Sequence, residues 1–354
     1  MLDRLIRAVE RESGLPGVVS GRCVHTAMEQ ASCSACVDSC PRSAWQLDDE
    51  SLGLDVEACD GCGLCAAACP ESAIVHEHGP ALRTVSGGSA ALWACERTRL
   101  DLPGVVPCLH AVALRELLGL YRQGITELIV ATGPCDDCQR SGNARLSTQV
   151  EQVNGMLRDR GLQPFKLRSV SPVLWAEFLA GSMHEPKGPT LDRRRFMGVG
   201  LATASEPMSS LSDAGEDEGD RLDGPATLIP RSGPGDRVPC VPSIDIDRCN
   251  GCDGCTRICP HGAIALETDE LETRYLLDAE RCTGCHLCID ICDRGAVRIA
   301  HWEQQEQFAV LLRTARCRAC GNPFHVPENR LPQDSLCRIC ARVNHYGRLH
   351  QVLD

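Results

Sequence analysis

Hydrophobic positions along the chain fall into two kinds of pattern, separated by stretches that have neither. Leu2, Leu5, Ile6 and Val9 recur at helical spacing and predict an amphipathic helix over residues 1–11, packed on the adjoining module. Residues 88–180 alternate short apolar runs with longer helical patterns. Ala91 to Ala94 and Val105–Val106 read as strands. His110 to Gln123 has helical periodicity through Val112, Leu114, Leu117, Leu118 and Tyr121. Leu128 to Thr132 is a buried-strand run, Asn143 to Arg160 a second helix, and Phe165 to Val170 a further strand. This alternation predicts a small α/β domain on a parallel sheet. By contrast, Ser209 to Asp223 is rich in Ser, Asp, Glu and Gly and holds too little apolar surface to offset its ordering entropy. Ile229 to Pro242 carries four prolines and two glycines and predicts an extended, loop-like segment. Residues 181–238 therefore read as a flexible linker.

Cysteine changes this picture most. The chain has 25 cysteines in 354 residues, and they fall in tight C-x2-C groups. Two cysteines three apart can present both thiolates to one metal centre from a single turn, so the spacing reads as metal binding rather than a disulfide framework. Together with the apolar patterns they predict an α+β multidomain chain. Residues 1–85 and 239–302 are two cysteine-dense modules, each a doubled motif. The α/β domain of 88–180 and the linker lie between them, and residues 310–354 form a C-terminal knuckle domain.

The second module reads Cys249-x2-Cys252-x2-Cys255-x3-Cys259-Pro260, then Cys282-x2-Cys285-x2-Cys288-x3-Cys292. It resembles the bacterial two-cluster ferredoxins over its whole length. In that family three close cysteines wrap three corners of a [4Fe–4S] cubane, and the last cysteine of each run ligates the other cluster. The resemblance implies one cluster on Cys249, Cys252, Cys255 and Cys292, and another on Cys282, Cys285, Cys288 and Cys259. Gly251 and Gly284 sit where backbone N–H groups must approach the cluster sulfurs. Ile264 and Val297 are expected in short strands packed over the clusters. Asp293 stands where a proline follows the other fourth cysteine, which affects the local turn and no ligand.

The first module keeps one full run, Cys59-x2-Cys62-x2-Cys65-x3-Cys69-Pro70. Its partner retains Cys33-x2-Cys36-x3-Cys40-Pro41 but has Gln30 where a cysteine is expected. Cys23 is the nearest upstream candidate, and a longer loop from it would supply the missing corner. One cluster is then assigned to Cys23, Cys33, Cys36 and Cys69, the other to Cys59, Cys62, Cys65 and Cys40. The alternative is a three-cysteine [3Fe–4S] site with Cys23 free. The first assignment gives the chain four [4Fe–4S] clusters.

In the α/β domain, Cys95, Cys108 and Cys135 are expected just beyond strand ends, where open α/β sheets place ligands. With Cys138 they make a four-cysteine set suited to a [2Fe–2S] cluster. Val106-Pro107-Cys108, a helix, a strand and Cys135-x2-Cys138 together resemble the small iron–sulfur subunit of methanogen-type hydrogenase and heterodisulfide-reductase complexes. That resemblance implies Cys95, Cys108, Cys135 and Cys138 as [2Fe–2S] ligands and electron transfer between larger subunits. Structural zinc on the same four thiolates is the alternative. Cys108-Leu109-His110 has half of a Rieske pattern, but the other half is missing. At the C-terminus, Cys317-x2-Cys320 and Cys337-x2-Cys340 form a four-cysteine zinc-ribbon pattern, with a rubredoxin-like iron as the competing occupant. His325, His345 and His350 are expected at the surface, and Cys240 is left as a non-ligand.

Composition and charge then narrow the function. Aromatics are only 3% of residues, so the cores lean on Val, Leu, Ile and Ala. A net charge of −12 argues against nucleic-acid binding and allows docking on a basic partner patch. No apolar run is long enough to span a bilayer, which leaves peripheral membrane association open. Arg193-Arg194-Arg195-Phe196-Met197 resembles a twin-arginine export motif, but it sits mid-chain, and a basic linker patch is the plainer account. No nucleotide-binding glycine loop, flavin motif or nucleophile triad is present. The expectation is a non-catalytic electron-transfer subunit of a larger dehydrogenase, hydrogenase or reductase, in the reducing cytoplasm. The competing expectation is an enzyme subunit doing thiol, disulfide or sulfur chemistry at the central cysteines.

Overall fold

The structure is a computed structural model that describes residues 14–47, 52–76, 78–85, 88–140, 145–181, 223–230, 233, 235–269, 272–329 and 336–342. The helix expected over residues 1–11, the Arg193–Arg195 motif, most of the linker, His345 and His350 lie outside these residues. Among the described residues no helix is long and apolar enough to cross a membrane.

The central sheet is built on its apolar runs. Strand Gly88–Cys95 lies between Ala81–Val85, antiparallel to it, and Glu127–Ala131, parallel to it. Lys166–Ser169 continues the parallel order, and Val105–Val106 pairs with the far end of Gly88–Cys95. Ala90 to Ala94 are all buried because both faces of the sheet are covered. Alternate residues serve opposite cores. Ala91 and Trp93 pack against helices Leu114–Arg122 and Arg145–Asp159. Ala90, Leu92 and Ala94 pack against Trp175 and Leu179 of helix Pro172–Ala180. That last helix carries no strong periodicity. Its start is set by Ser171, whose hydroxyl accepts from the Leu174 N–H, and by Pro172 in the first turn. The sheet also takes in Ala81–Val85, so the boundary expected at residues 85–88 falls inside a hairpin.

The two cysteine-dense modules share one topology at different sizes. In the second, strand Arg237–Ile244 pairs antiparallel with Val297–Gln304, and Ile264–Thr268 pairs with Thr273–Leu277. In the first, the equivalents are Gly17–Val18 with Ile74–Val75, and Trp45–Leu47 with Leu52–Leu54. Trp45 and Ile74 occupy the places of Ile264 and Val297, and all four are buried.

Two segments depart from expectation. Part of Ile229 to Pro242 is strand rather than loop: Arg237–Ile244 tolerates Pro239 and Pro242 because its sheet has only two strands. The C-terminal knuckles are not set apart either. Strands Ala309–Arg316 and Pro323–Pro327 extend the second module's hairpin into a four-stranded sheet.

Candidate metal centres

The cysteine loops owe their shape to alternating backbone handedness. In the second module Gly251 and Gly284 have φ of +69° and +78°, and Asp253 and His286, two residues later, are also left-handed. Successive N–H groups in such an alternation point to one side and form a concavity that suits an anion. Gly251 and Gly284 are confined further by neighbours. A Cβ at Gly251 would stand 2.0 Å from the His325 carbonyl oxygen, and one at Gly284 would stand 2.8 Å from Cys240 Sγ.

Two enclosed cavities result. Cys249, Cys252, Cys255 and Cys292 line one, closed over by Ile244, Tyr275 and Val297. Cys259, Cys282, Cys285 and Cys288 line the other, closed over by Ile264, Leu287 and Ile299. The fourth cysteine of each run thus sits in the other run's cavity. A third cavity in the first module is lined by Cys40, Cys59, Cys62 and Cys65, with Trp45 beside them.

The remaining set of the first module contains the displaced residue. Cys23 lies close enough to Cys33 and Cys36, together with Cys69, for the charges of all four to interact. The extra residues between Cys23 and Cys33 form the short helix Val24–Ala27, and His25 Nε2 ties back to the Cys33 carbonyl at 2.8 Å. Nothing in the cysteine spacing announced this helix. For three of the cross-over cysteines, a backbone N–H four residues on donates to sulfur: Ala44 to Cys40 at 3.3 Å, Ala73 to Cys69 at 3.2 Å and Ala296 to Cys292 at 3.3 Å.

The donor sets fit a strongly cationic guest. Burial pushes the thiols of Cys36, Cys62, Cys255 and Cys285 up to about 12. Neighbouring thiolates add to the shift at Cys36 and Cys255. Four thiolates gathered out of water need positive charge among them, and iron bonded to each sulfur would supply it.

Three chain segments bring the central cysteines together. Cys95 ends its strand, Cys108 follows Val105–Val106, and Cys135 and Cys138 follow Glu127–Ala131. Cys108 and Cys135 each interact with both Cys95 and Cys138. Burial opposes ionisation of Cys138, but the Arg97 guanidinium and the Arg140 backbone N–H outweigh it and lower its pKa. Sequence reasoning missed both arginines. The Arg140 side chain, 14% exposed, joins this site to the first module. It donates to Asp60 at 2.7 Å, to Glu96, and to the Pro107 carbonyl at 3.0 Å. Cys62 and Cys108 pack in one apolar cluster beneath it.

The C-terminal cysteines are arranged more tightly. The sulfurs of Cys317, Cys320, Cys337 and Cys340 all lie within 4.8 Å of one another, close enough for a single ion. The Cys337 N–H donates to Cys317 Sγ at 3.2 Å, the leading cause of that thiol's lowered pKa. His325 is not a free surface residue. Its Nε2 meets Asp253 Oδ1 at 2.7 Å, and the Tyr275 hydroxyl donates to the same oxygen at 2.7 Å. Asp293 pairs with Arg342 of the knuckle helix. Cys240 is buried against Cys282, with its sulfur 3.7 Å from His301 Nδ1.

Residues 248–296 and 31–95 each match a family model described as a 4Fe-4S dicluster domain. The chain carries two 4Fe–4S dicluster domains. The match over 248–296 spans all eight motif cysteines of that module, whereas Cys23 lies upstream of the match over 31–95. An uncharacterized ferredoxin of Methanocaldococcus jannaschii is 32% identical over 93 residues, covering 26% of this chain and 56% of that protein. A protein named ferredoxin 7Fe, from Hydrogenibacillus schlegelii, is 39% identical over 44 residues, covering 12% of this chain and 56% of its own length. The chain thus spans about half the length of these relatives. In these two segments the chain is ferredoxin-like, with sites of the 4Fe–4S dicluster kind.

Proposed function

We propose that the protein relays single electrons through four [4Fe–4S] clusters and a [2Fe–2S] cluster as a subunit of a larger oxidoreductase. The observation that carries this is the paired exchange of cysteines: each run of three in the second module shares its cavity with the other run's fourth cysteine. Clusters bound there would each take up and release one electron, at potentials set by burial and by hydrogen bonds to sulfur. The chain's own part is to hold and shield them. Ile264 and Val297 exclude water, and backbone N–H groups aim at sulfur.

Cys23, Cys33, Cys36 and Cys69 hold the fourth [4Fe–4S] cluster in this reading. The [2Fe–2S] cluster takes Cys95, Cys108, Cys135 and Cys138, which lie farther apart than the C-terminal four. Zinc takes Cys317, Cys320, Cys337 and Cys340, whose mutual closeness suits one ion. Partners are redox enzyme subunits, and the many oxidation-prone thiolates suit the reducing cytoplasm.

A second reading is favoured by one observation. Cys138 is half-buried with a lowered pKa, as a reactive thiolate would be. In that case the central cysteines do thiol–disulfide chemistry and hold no cluster.

Metal and sulfide analysis of the full chain, prepared without oxygen, tests both. The relay requires about eighteen irons, as many sulfides, and one zinc per chain. About sixteen irons, with no [2Fe–2S] signal in the visible and EPR spectra, would favour the second reading.

A further inference from the structure

The two dicluster domains are far apart in sequence but share a buried contact. Val24 and Ala31 of the first pack with Cys285 and Leu287 of the second, and Cys33 and Ile258 flank them. Polar bonds fasten both sides of this patch. The Ser32 N–H donates to Asp290 Oδ2 at 2.8 Å and its hydroxyl to Asp290 Oδ1 at 2.7 Å. Glu71, two residues after Cys69, meets His261 Nε2 at 2.7 Å and accepts from the Thr283 hydroxyl. His261 stands two residues after Cys259, and Thr283 directly follows Cys282. Each fastening residue is therefore tied by a few covalent bonds to a cysteine on its own side. A groove runs along the joint with Cys33 and Cys69 on one wall and Cys285 on the other.

We propose that this joint fixes the Cys23–Cys33–Cys36–Cys69 site face to face with the Cys259–Cys282–Cys285–Cys288 site, making the two domains one continuous electron path. The inference rests on the relay reading above and adds the order of its centres. From the central cysteines the path enters the first domain at the Cys108–Cys62 contact. Within that domain, Cys36, Cys40, Cys65 and Cys69 share the apolar core around Trp45. It crosses to the second domain at Cys33 and Cys285. There Cys288 shares a core with Cys249 and Cys255. The C-terminal knuckles lie beyond, sharing a groove with Cys252. Tunnelling falls off exponentially with distance, so a fixed apolar contact between cysteine loops favours transfer over a water-filled gap.

The test is EPR power saturation on the fully reduced full chain, with iron and sulfide counted on the same samples. Asp290→Arg and Ser32→Asp each break the Ser32–Asp290 fastening from opposite sides, and each is combined with Glu71→Ala, which removes the fastening to His261 and Thr283. The expected result is a several-fold drop in half-saturation power in both variants, at unchanged iron and sulfide, because magnetic coupling between the domains is lost. Saturation identical to the parent in both variants, at full iron content, would overturn the proposed joint and leave the relay standing. Iron too low for two clusters in each domain of the parent protein would overturn the relay itself, and the joint with it.

Discussion

Glu71 and His261 stand 2.7 Å apart, carboxylate oxygen to ring nitrogen, with side chains only 8% and 5% exposed, although 190 positions separate them in the chain. Each follows a Cys-Pro pair, Cys69-Pro70 and Cys259-Pro260. The two domains thus meet at corresponding points of their motifs.

Removing the Glu71 carboxylate strands the His261 ring and the Thr283 hydroxyl. A buried donor left without an acceptor costs about 1–3 kcal/mol. Glu71→Ala should lower the midpoint of anaerobic urea unfolding, followed by bleaching of cluster absorbance. Glu71→Gln, which keeps an acceptor, should lower it less. Equal midpoints for the parent and both variants would show that the contact contributes nothing.

Cys23 and Cys240 should behave oppositely. Cys23 belongs with Cys33, Cys36 and Cys69, whereas Cys240 only borders Cys282. Cys23→Ser is expected to lose one or more irons per chain and to change the EPR spectrum of the first domain. Cys240→Ser should retain the full count. Iron analysis decides it, and an undiminished count in Cys23→Ser contradicts the assignment.

Arg140 ties the central cysteines to the first domain through Asp60, Glu96 and the Pro107 carbonyl. Arg140→Ala removes the hydrogen-bonded counter-charge of the half-buried Asp60 carboxylate and leaves it the charge of Arg42, a loss on the order of 2 kcal/mol for so partial a burial. With the proposed [2Fe–2S] cluster in place, the central site should then lose its visible absorbance at lower denaturant than the dicluster domains. Loss of all absorbance together, at the parent's midpoint, would speak against this role.

Glu116, on helix Leu114–Arg122, adds a pH dependence of its own. Burial pushes its carboxyl from 4.5 up to about 7. The folded state therefore holds this proton more tightly than the unfolded state. The resulting stability is fully present below pH 4.5 and is lost as pH rises through 7. The full shift corresponds to at most about 3 kcal/mol. Glu116→Gln should gain stability over the parent at pH 8 and little at pH 4.5. Urea midpoints at the two pH values test the sign.

The C-terminal knuckles should hold one zinc ion. Cys320 is exposed, so a strong chelator should remove it, as a colorimetric zinc assay would show. Gly251→Ala should disturb the neighbouring [4Fe–4S] site by another route, because its Cβ would meet the His325 carbonyl at 2.0 Å on a left-handed backbone. Reduced iron content with zinc retained is the expected signature.

Much of this was legible in the chain because it is local. C-x2-C-x2-C-x3-C fixes three thiols within seven residues, and apolar runs such as Ala91 to Ala94 mark strands buried on both faces. The alternation over residues 88–180 predicts the central sheet; Cys108, Cys135 and Cys138 lie beyond strand ends as expected, whereas Cys95 is the last residue of its strand. The boundaries were less legible. Ala81–Val85 joins that sheet, and Arg237–Ile244 forms a strand despite its prolines, because pairing partners distant in sequence decide where a strand is stabilised.

The sequence by itself determined the cysteine loops, the two dicluster domains and the strands that cover their sites, since motif spacing and apolar periodicity act over a few residues. Only the tertiary structure decided that Glu71 meets His261, that Arg140 bridges Asp60 and Pro107, and that His325 lies against Asp253. Those contacts join segments 33 to 190 positions apart. Burial and charge complementarity, which no local pattern encodes, select among the ways such segments could pack.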